Sequence, residues 1–122
     1  MYESGENYLE TIYILGKRNG SVRSIDIARE LNFSKPSVSR AVGILSDSKL
    51  ITIDEMGYIE LTDEGKIKAE SIYERHQLLT AFFENTAGVS KKVAEEDACK
   101  IEHIISHETM EGIKKYLKKL DV

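Results

Sequence analysis

The chain has 122 residues, the length of one domain or of two small lobes that share a core, and its apolar (41%) and charged (31%) fractions are those of a folded protein. Taken alone, the formal net charge of −4 argues against nucleic-acid binding. The charge is uneven, however: residues 17–49 hold seven basic and three acidic residues, a net charge of +4, whereas the rest of the chain holds ten and eighteen, a net charge of −8. A basic segment inside an acidic protein keeps nucleic-acid binding open.

The expected compartment follows from the cysteine content and the hydropathy pattern. The single cysteine, Cys99, has no second cysteine in this sequence with which to form a disulfide. No apolar run approaches the roughly 18 residues that a membrane span requires. We therefore expect a cytoplasmic protein, in a reducing environment, with no membrane partner.

The first third of the chain predicts three helices. Apolar residues spaced at i, i+4 and i+7 indicate a helix over residues 6–18. A short second helix is predicted with Ser24 as its cap, and Ser34 is predicted to cap the third, which has Pro36 in its first turn, where the missing N–H has no cost. The inward stripe of the third helix consists of Val38, Val42 and Leu45.

The hydrophobic period then changes from helical to extended and back. Two β-branched or aromatic runs, 50–53 and 58–61, flank a polar turn and predict a hairpin. A long helix over 63–85, a helix capped by Ser90 and a final helix follow. The predicted fold is mostly α with a small β-hairpin wing: a winged helix-turn-helix domain over 1–62, then an all-helical domain over 63–122.

The third helix carries the residues expected to contact DNA. Two short helices, a tight turn and a hairpin follow the order of a winged helix-turn-helix, in which the second of the paired helices enters the major groove. Hydroxyls at a helix N-terminus suit phosphate oxygens, and Arg40 suits a guanine edge. The predicted DNA-binding residues are Ser34, Lys35, Pro36, Ser37, Ser39 and Arg40. The alternatives are a winged helix used for protein contacts and plain α+β packing without a DNA-binding role. Acidic Asp54 and Glu55 at the wing tip would repel phosphate.

A second set of side chains has the composition of a metal site. Cys99, Glu102 and His103 are spaced i, i+3, i+4, which puts a thiolate, a carboxylate and an imidazole on one helix face. Mixed nitrogen, oxygen and sulfur donors suit a first-row divalent transition metal rather than calcium or magnesium. The candidate ligands are His76, Cys99, Glu102 and His103, with Glu10 and Asn7 on the first helix. The alternative is a hydrogen-bonded core cluster with no metal.

These two sets of residues carry a resemblance to a known family. Over essentially its whole length the sequence resembles the diphtheria toxin repressor family, which includes the manganese transport regulators. The segments that match are 6–13, 27–42, 61–65, 75–76 and 98–103. The resemblance implies a metal-dependent transcriptional repressor of metal homeostasis that binds palindromic operator DNA as a homodimer.

The resemblance also implies a hybrid ligand set. His76, Cys99, Glu102 and His103 fall on metal-ligand positions of the family. Cys99 matches the iron-type members, Glu10 matches the manganese-type members, and Asn7 stands where those types have methionine and aspartate respectively. Thiolate softness favours Fe(II), whereas the added carboxylate favours Mn(II). We therefore expect a divalent transition metal, with Fe(II) favoured and Mn(II) a close alternative.

Two other functions compete with this interpretation. A winged-helix regulator that senses no metal would bind DNA equally well in the presence of a chelator. A small metalloenzyme is suggested superficially by the segment 107–111, but the second histidine of a zinc-protease helix is replaced by Glu111. We therefore expect a regulator rather than an enzyme.

Overall fold

The structure, a computed structural model, describes residues 3–120, with side chains from residue 5 onward. It consists of six helices and one two-stranded antiparallel sheet, and it confirms the predicted fold class. The elements are α1 (Glu3–Asn19), α2 (Ser24–Leu31), α3 (Lys35–Asp47), β1 (Ile51–Ile53), β2 (Ile59–Leu61), α4 (Asp63–Thr86), α5 (Lys91–Ile101) and α6 (His107–Leu120).

The chain forms two compact units, Met1–Glu70 (unit 1) and Ser71–Val122 (unit 2). The boundary between the packing units lies within α4, whose first eight residues belong to unit 1. The functional division after residue 62 stays a prediction. Among residues 3–120, no helix combines the length and the apolar character needed to cross a membrane.

Unit 1 is built on a helix-turn-helix formed by α2 and α3. The buried face of α2 consists of Ile27 and Ala28, and α3 buries the predicted stripe of Val38, Val42 and Leu45. The turn depends on Asn32, which adopts a left-handed conformation with φ of 56°, and asparagine tolerates this conformation better than most residues. Ser34 caps α3 as predicted, since its Oγ accepts a hydrogen bond from the Ser37 N–H.

The start of α2 differs from the prediction. Ser24 is the first helical residue, and Arg23 occupies the cap position in an extended conformation. The Asp26 carboxylate accepts a hydrogen bond of 2.8 Å from the Arg23 backbone N–H. Arg23 also forms an isolated antiparallel bridge with Tyr58. Pairing with the hairpin therefore holds Arg23 extended and overrides the local preference for serine at a cap.

The hairpin is shorter than predicted but has the predicted turn. Ile51 pairs with Leu61 and Ile53 with Ile59. Asp54 Oδ1 accepts hydrogen bonds of 2.9 Å from the backbone N–H groups of Met56 and Tyr58. The Asp54 carboxylate therefore stabilises the turn.

Unit 2 is a three-helix cluster formed by the second part of α4, α5 and α6. One buried core cluster of this unit contains Leu79, Ala98, Met110 and Ile113. Ser90 caps α5 as predicted, because its Oγ accepts a hydrogen bond from the Val93 N–H. The prediction of an all-helical second part is therefore correct.

The entry to α4 is packed too closely for a side chain at Gly65. A Cβ atom at this buried position would lie 1.9 Å from the Leu50 carbonyl oxygen. The approach is fixed because Thr62 donates hydrogen bonds to the Lys49 carbonyl through its hydroxyl and to the Leu50 carbonyl through its backbone N–H. The backbone of Leu50 cannot move away without breaking these bonds.

We expect Gly65→Ala to lower the free energy of unfolding by about 3 kcal/mol or more, because backbone atoms must shift to relieve the overlap. Gly43→Ala is the matched control, since nothing lies within 4 Å of a Cβ at that position in α3. It should raise the free energy by roughly 0.5–1 kcal/mol through helix propensity. Urea unfolding of both variants checks the pair, and equal effects would contradict the packing argument.

Candidate metal centre and DNA-reading helix

The predicted DNA-binding residues lie together on one exposed surface of unit 1. Val38 faces the core, and the residues around it on the first turns of α3 face solvent. The exposed set is Ser34, Lys35, Pro36, Ser37, Ser39 and Arg40. Lys35 and Arg40 form no ion pair with any residue that the structure describes.

The first turn of α3 has donors that suit an anion. Ser34 Oγ lies 2.9 Å from Ser37 Oγ and donates a hydrogen bond to it. Because Ser34 also caps the helix, its hydroxyl has a structural role of its own. Helix N-terminal N–H groups and hydroxyls favour phosphate oxygens, and the neighbouring Lys35 adds a positive charge.

The centre of the predicted metal cluster in unit 2 is the Glu102 carboxylate. Its side chain is 0% exposed, and one imidazole lies beside each oxygen. His76 Nδ1, on α4, lies 2.9 Å from Oε2, within hydrogen-bond distance. His103 Nε2 lies 3.3 Å from Oε1, and the His103 side chain is 2% exposed. Two imidazoles therefore converge on one buried carboxylate: His76 lies 26 residues before Glu102 in the sequence, and His103 directly follows it.

Glu102 Oε1 is buried and accepts no hydrogen bond from any described residue. The 3.3 Å approach of His103 Nε2 brings a nitrogen close without hydrogen-bond geometry. A buried carboxylate oxygen without a hydrogen bond is costly, and a bound cation is one of the partners that relieves the cost. The donor set of imidazole nitrogen and carboxylate oxygen fits a divalent transition metal.

The remaining candidate ligands have separate positions. Cys99 is a half-buried cysteine on α5 that is not part of a disulfide, one helical turn before Glu102 and His103. The helix ends at Ile101, but Glu102 keeps helical backbone angles and its N–H donates to the Ala98 carbonyl. The predicted i, i+3 geometry from Cys99 therefore holds at Glu102 although the helix has formally ended. In unit 1, Glu10 is buried and Asn7 is half-buried, three residues apart on α1.

The histidine of the metalloenzyme alternative lies in solvent. His107 is 89% exposed and its Nε2 lies 3.9 Å from Glu111 Oε1 on the next turn of α6. An exposed i, i+4 pair of this kind contributes little to stability. It also lacks the buried, water-excluding surroundings of a catalytic zinc site.

Comparison with known protein families gives two matches that together span the chain. Residues 1–65 match the family described as "Iron dependent repressor, N-terminal DNA binding domain". Residues 62–122 match "Iron dependent repressor, metal binding and dimerisation domain". Both the DNA-binding surface and the Glu102 cluster therefore lie in domains of matching description.

Individual relatives agree with the family matches. An uncharacterised HTH-type transcriptional regulator of Methanocaldococcus jannaschii is 31% identical over 98% of this chain and 96% of its own length. The transcriptional regulator MntR of Escherichia coli O6:H1 is 32% identical over 93% of this chain and 73% of its own length.

Among solved structures, the manganese regulator SloR superimposes with a TM-score of 0.83 at 32% identity. The match covers 93% of this chain and 53% of SloR, so the chain spans about half the length of that structural relative. The predicted family is confirmed, and membership of this family of transcriptional regulators excludes the enzyme alternative. The chain belongs to the iron-dependent repressor family of metal-dependent, DNA-binding transcriptional regulators.

Proposed function

We propose that operator DNA is read by Ser34, Lys35, Pro36, Ser37, Ser39 and Arg40. We also propose that the divalent metal that activates this binding is held by His76, Cys99, Glu102 and His103. The observation that carries the proposal is the buried Glu102 carboxylate with an imidazole at each oxygen. A divalent ion supplies positive charge to a carboxylate that has one hydrogen bond. Its binding therefore stabilises the arrangement of α4 against the end of α5.

Operator recognition is proposed to divide between base and backbone contacts. The exposed guanidinium of Arg40 suits a bidentate contact to guanine, whereas Ser37, Ser39 and Lys35 suit phosphate. The family description of a dimerisation domain over 62–122 supports a homodimer. Two copies of α3 would then read half-sites one helical turn apart, about 34 Å, in a palindromic operator. We propose that the regulator works in the cytoplasm.

Fe(II) is the proposed physiological metal, with Mn(II) as the close alternative. The Cys99 thiolate is a soft donor and prefers iron to manganese, and its half-buried position one turn before Glu102 supports a role as ligand. The carboxylates of Glu102 and Glu10 are hard donors and favour manganese. Intrinsic affinity rises from manganese towards copper, so zinc and cobalt should also bind in vitro.

Activation requires that metal binding be sensed by the DNA-binding unit. We propose that Glu10, and Asn7 one turn earlier on α1, add ligands from unit 1, as the resemblance of residues 6–13 to the family supports. Asn7 offers a neutral amide oxygen and is the weaker donor. A metal shifts DNA affinity only by its differential affinity for the DNA-competent state, typically 1–3 kcal/mol, or roughly 5- to 150-fold.

The proposed function is tested by separating DNA binding from metal binding. With an operator fragment selected from random DNA by the metal-loaded protein, Arg40→Ala should weaken binding about 5- to 150-fold, the 1–3 kcal/mol of a bidentate base contact. Its metal affinity should be unchanged. His103→Ala should lose metal binding and the rise in DNA affinity on adding Fe(II) or Mn(II), whereas His107→Ala, the exposed control, should keep both.

Anaerobic calorimetry for the metal and fluorescence anisotropy for the DNA measure these effects. Wild-type protein that binds the operator equally well in chelator and in Fe(II) or Mn(II) would instead identify a metal-independent regulator. Such a result would leave the role of α3 intact and remove the role of the Glu102 cluster.

The choice of metal is tested at Cys99. Cys99→Ser replaces a soft thiolate with a hard hydroxyl of similar size, so the affinity for Fe(II) should fall by about tenfold more than the affinity for Mn(II). Anaerobic competition between each ion and a fluorescent chelator measures both affinities. An equal loss for the two metals, or no loss, would contradict a ligand role for the thiolate.

The sensing role of α1 is tested with Glu10→Gln, which keeps the size of the side chain and removes its charge. The variant should still bind metal through the residues of unit 2, but the increase in DNA affinity caused by metal should shrink towards onefold. Asn7→Ala should have the smaller effect. The ratio of operator affinities with and without metal measures the coupling, and an unchanged ratio in Glu10→Gln would remove α1 from the switch.

A further inference from the structure

We propose that Arg23 contacts the phosphate backbone of DNA and supplies the positive charge that the wing itself lacks. The inference rests on the proposed function, in which α3 reads the operator, and adds a DNA contact outside that helix. Residues 51–61 contain three acidic residues and no lysine or arginine. A wing of this composition has no cation of its own with which to approach phosphate.

The backbone of Arg23 is part of the wing although it lies about 30 residues earlier in the sequence. Arg23 forms an antiparallel bridge with Tyr58, and the Ile59 N–H donates a 2.8 Å hydrogen bond to the Val22 carbonyl. The Asp26 carboxylate accepts the Arg23 backbone N–H at 2.8 Å. These bonds fix where the side chain leaves the main chain.

The side chain of Arg23 is held over the wing as well. Its Cζ lies 5.3 Å from the centroid of the Tyr58 ring, a cation–π distance. The guanidinium also lies against Gly57, since a Cβ there would come within 3.4 Å of Nη2. Gly57 has φ of 85°, which favours glycine, so the turn itself keeps this space open. Arginine stacked on an aromatic face loses less entropy when it forms hydrogen bonds.

The charge of Arg23 is available to a ligand. The residue is exposed and forms no ion pair with any described residue. In the hairpin turn beneath Arg23, the Asp54 carboxylate accepts hydrogen bonds from two backbone N–H groups and forms no ion pair with Arg23. An exposed guanidinium that is held in place by these contacts matches the paired oxygens of a phosphodiester. Because the phosphate is common to all sequences, the contact should add affinity without adding specificity.

The test measures operator affinity of the metal-loaded protein as a function of salt. Arg23→Ala should lower the slope of log K against log[salt] by about 0.9, the value for one lost phosphate contact. It should weaken binding to the operator and to unrelated duplex DNA by the same factor. Arg29→Ala, which removes an exposed charge from α2, is the matched control and should leave the slope unchanged.

Two more variants separate a DNA contact from a structural role. Arg23→Lys keeps the charge and should restore most of the slope. Tyr58→Leu removes the stacking partner and should weaken binding about two- to fivefold, the effect of an exposed cation–π contact, with the slope kept. A slope unchanged in Arg23→Ala, with only the melting temperature lowered, would overturn the inference.

The outcomes also distinguish this inference from the proposed function. If wild-type binding responds to metal and Arg40→Ala weakens it while Arg23→Ala binds like wild type, the inference alone is wrong. If wild-type protein binds no duplex DNA under any metal condition, the proposed function is wrong and this inference with it. Equal slope changes in Arg23→Ala and Arg29→Ala would show a general charge effect and would also overturn it.

Discussion

The structure of unit 2 is dominated by one unfavourable burial, that of the Glu102 carboxylate. A buried charge is tolerated only when partners replace the lost water, and breaking such a set by removing one partner costs several kcal/mol. Here one oxygen lies within hydrogen-bond distance of His76, and the other faces His103 without accepting a hydrogen bond. The proposed metal would add to the stability of the folded chain, by about 2.7 kcal/mol for an ion present at a hundred times its Kd.

Most of this cluster could be predicted from sequence because its core is local. The i, i+3 spacing of Cys99 and Glu102 fixes their relative positions because the helical angles persist at Glu102, whereas His103 lies beyond the end of α5 at Ile101. The position of His76 relative to the two oxygens could not be predicted. It depends on how α4 packs against α5, which the core residues around Leu79 and Ala98 determine together.

The fold shows the same contrast between local and long-range control. The helices could be predicted from the spacing of apolar residues and the hairpin from its turn residues, with errors of a few residues at the ends of the elements. The predicted cap of α2, Ser24, was wrong. Serine is the better local choice for a cap, but the pairing of Arg23 with Tyr58 is a contact across 35 residues that local preference cannot show. The turn-stabilising bonds of Asp54 were missed for a related reason: the residue is visible in the sequence, but its two backbone hydrogen bonds are not.

Thermodynamic linkage limits how such a protein can act as a switch. His76, Cys99, Glu102 and His103 all belong to unit 2, whereas α3 belongs to unit 1. A metal held equally well in the DNA-bound and free states changes no DNA affinity, however tightly it binds. Ligands confined to unit 2 regulate only if their ordering changes a feature that differs between the DNA-bound and free states, such as dimerisation or the α4 helix, which belongs to both units. A ligand from α1 couples the metal directly to the unit that contains α3, because α1 and α3 share that unit's core. If the proposed metal role of the buried Glu10 carboxylate holds, direct coupling between metal and operator depends mainly on that side chain, with Asn7 as the weaker donor.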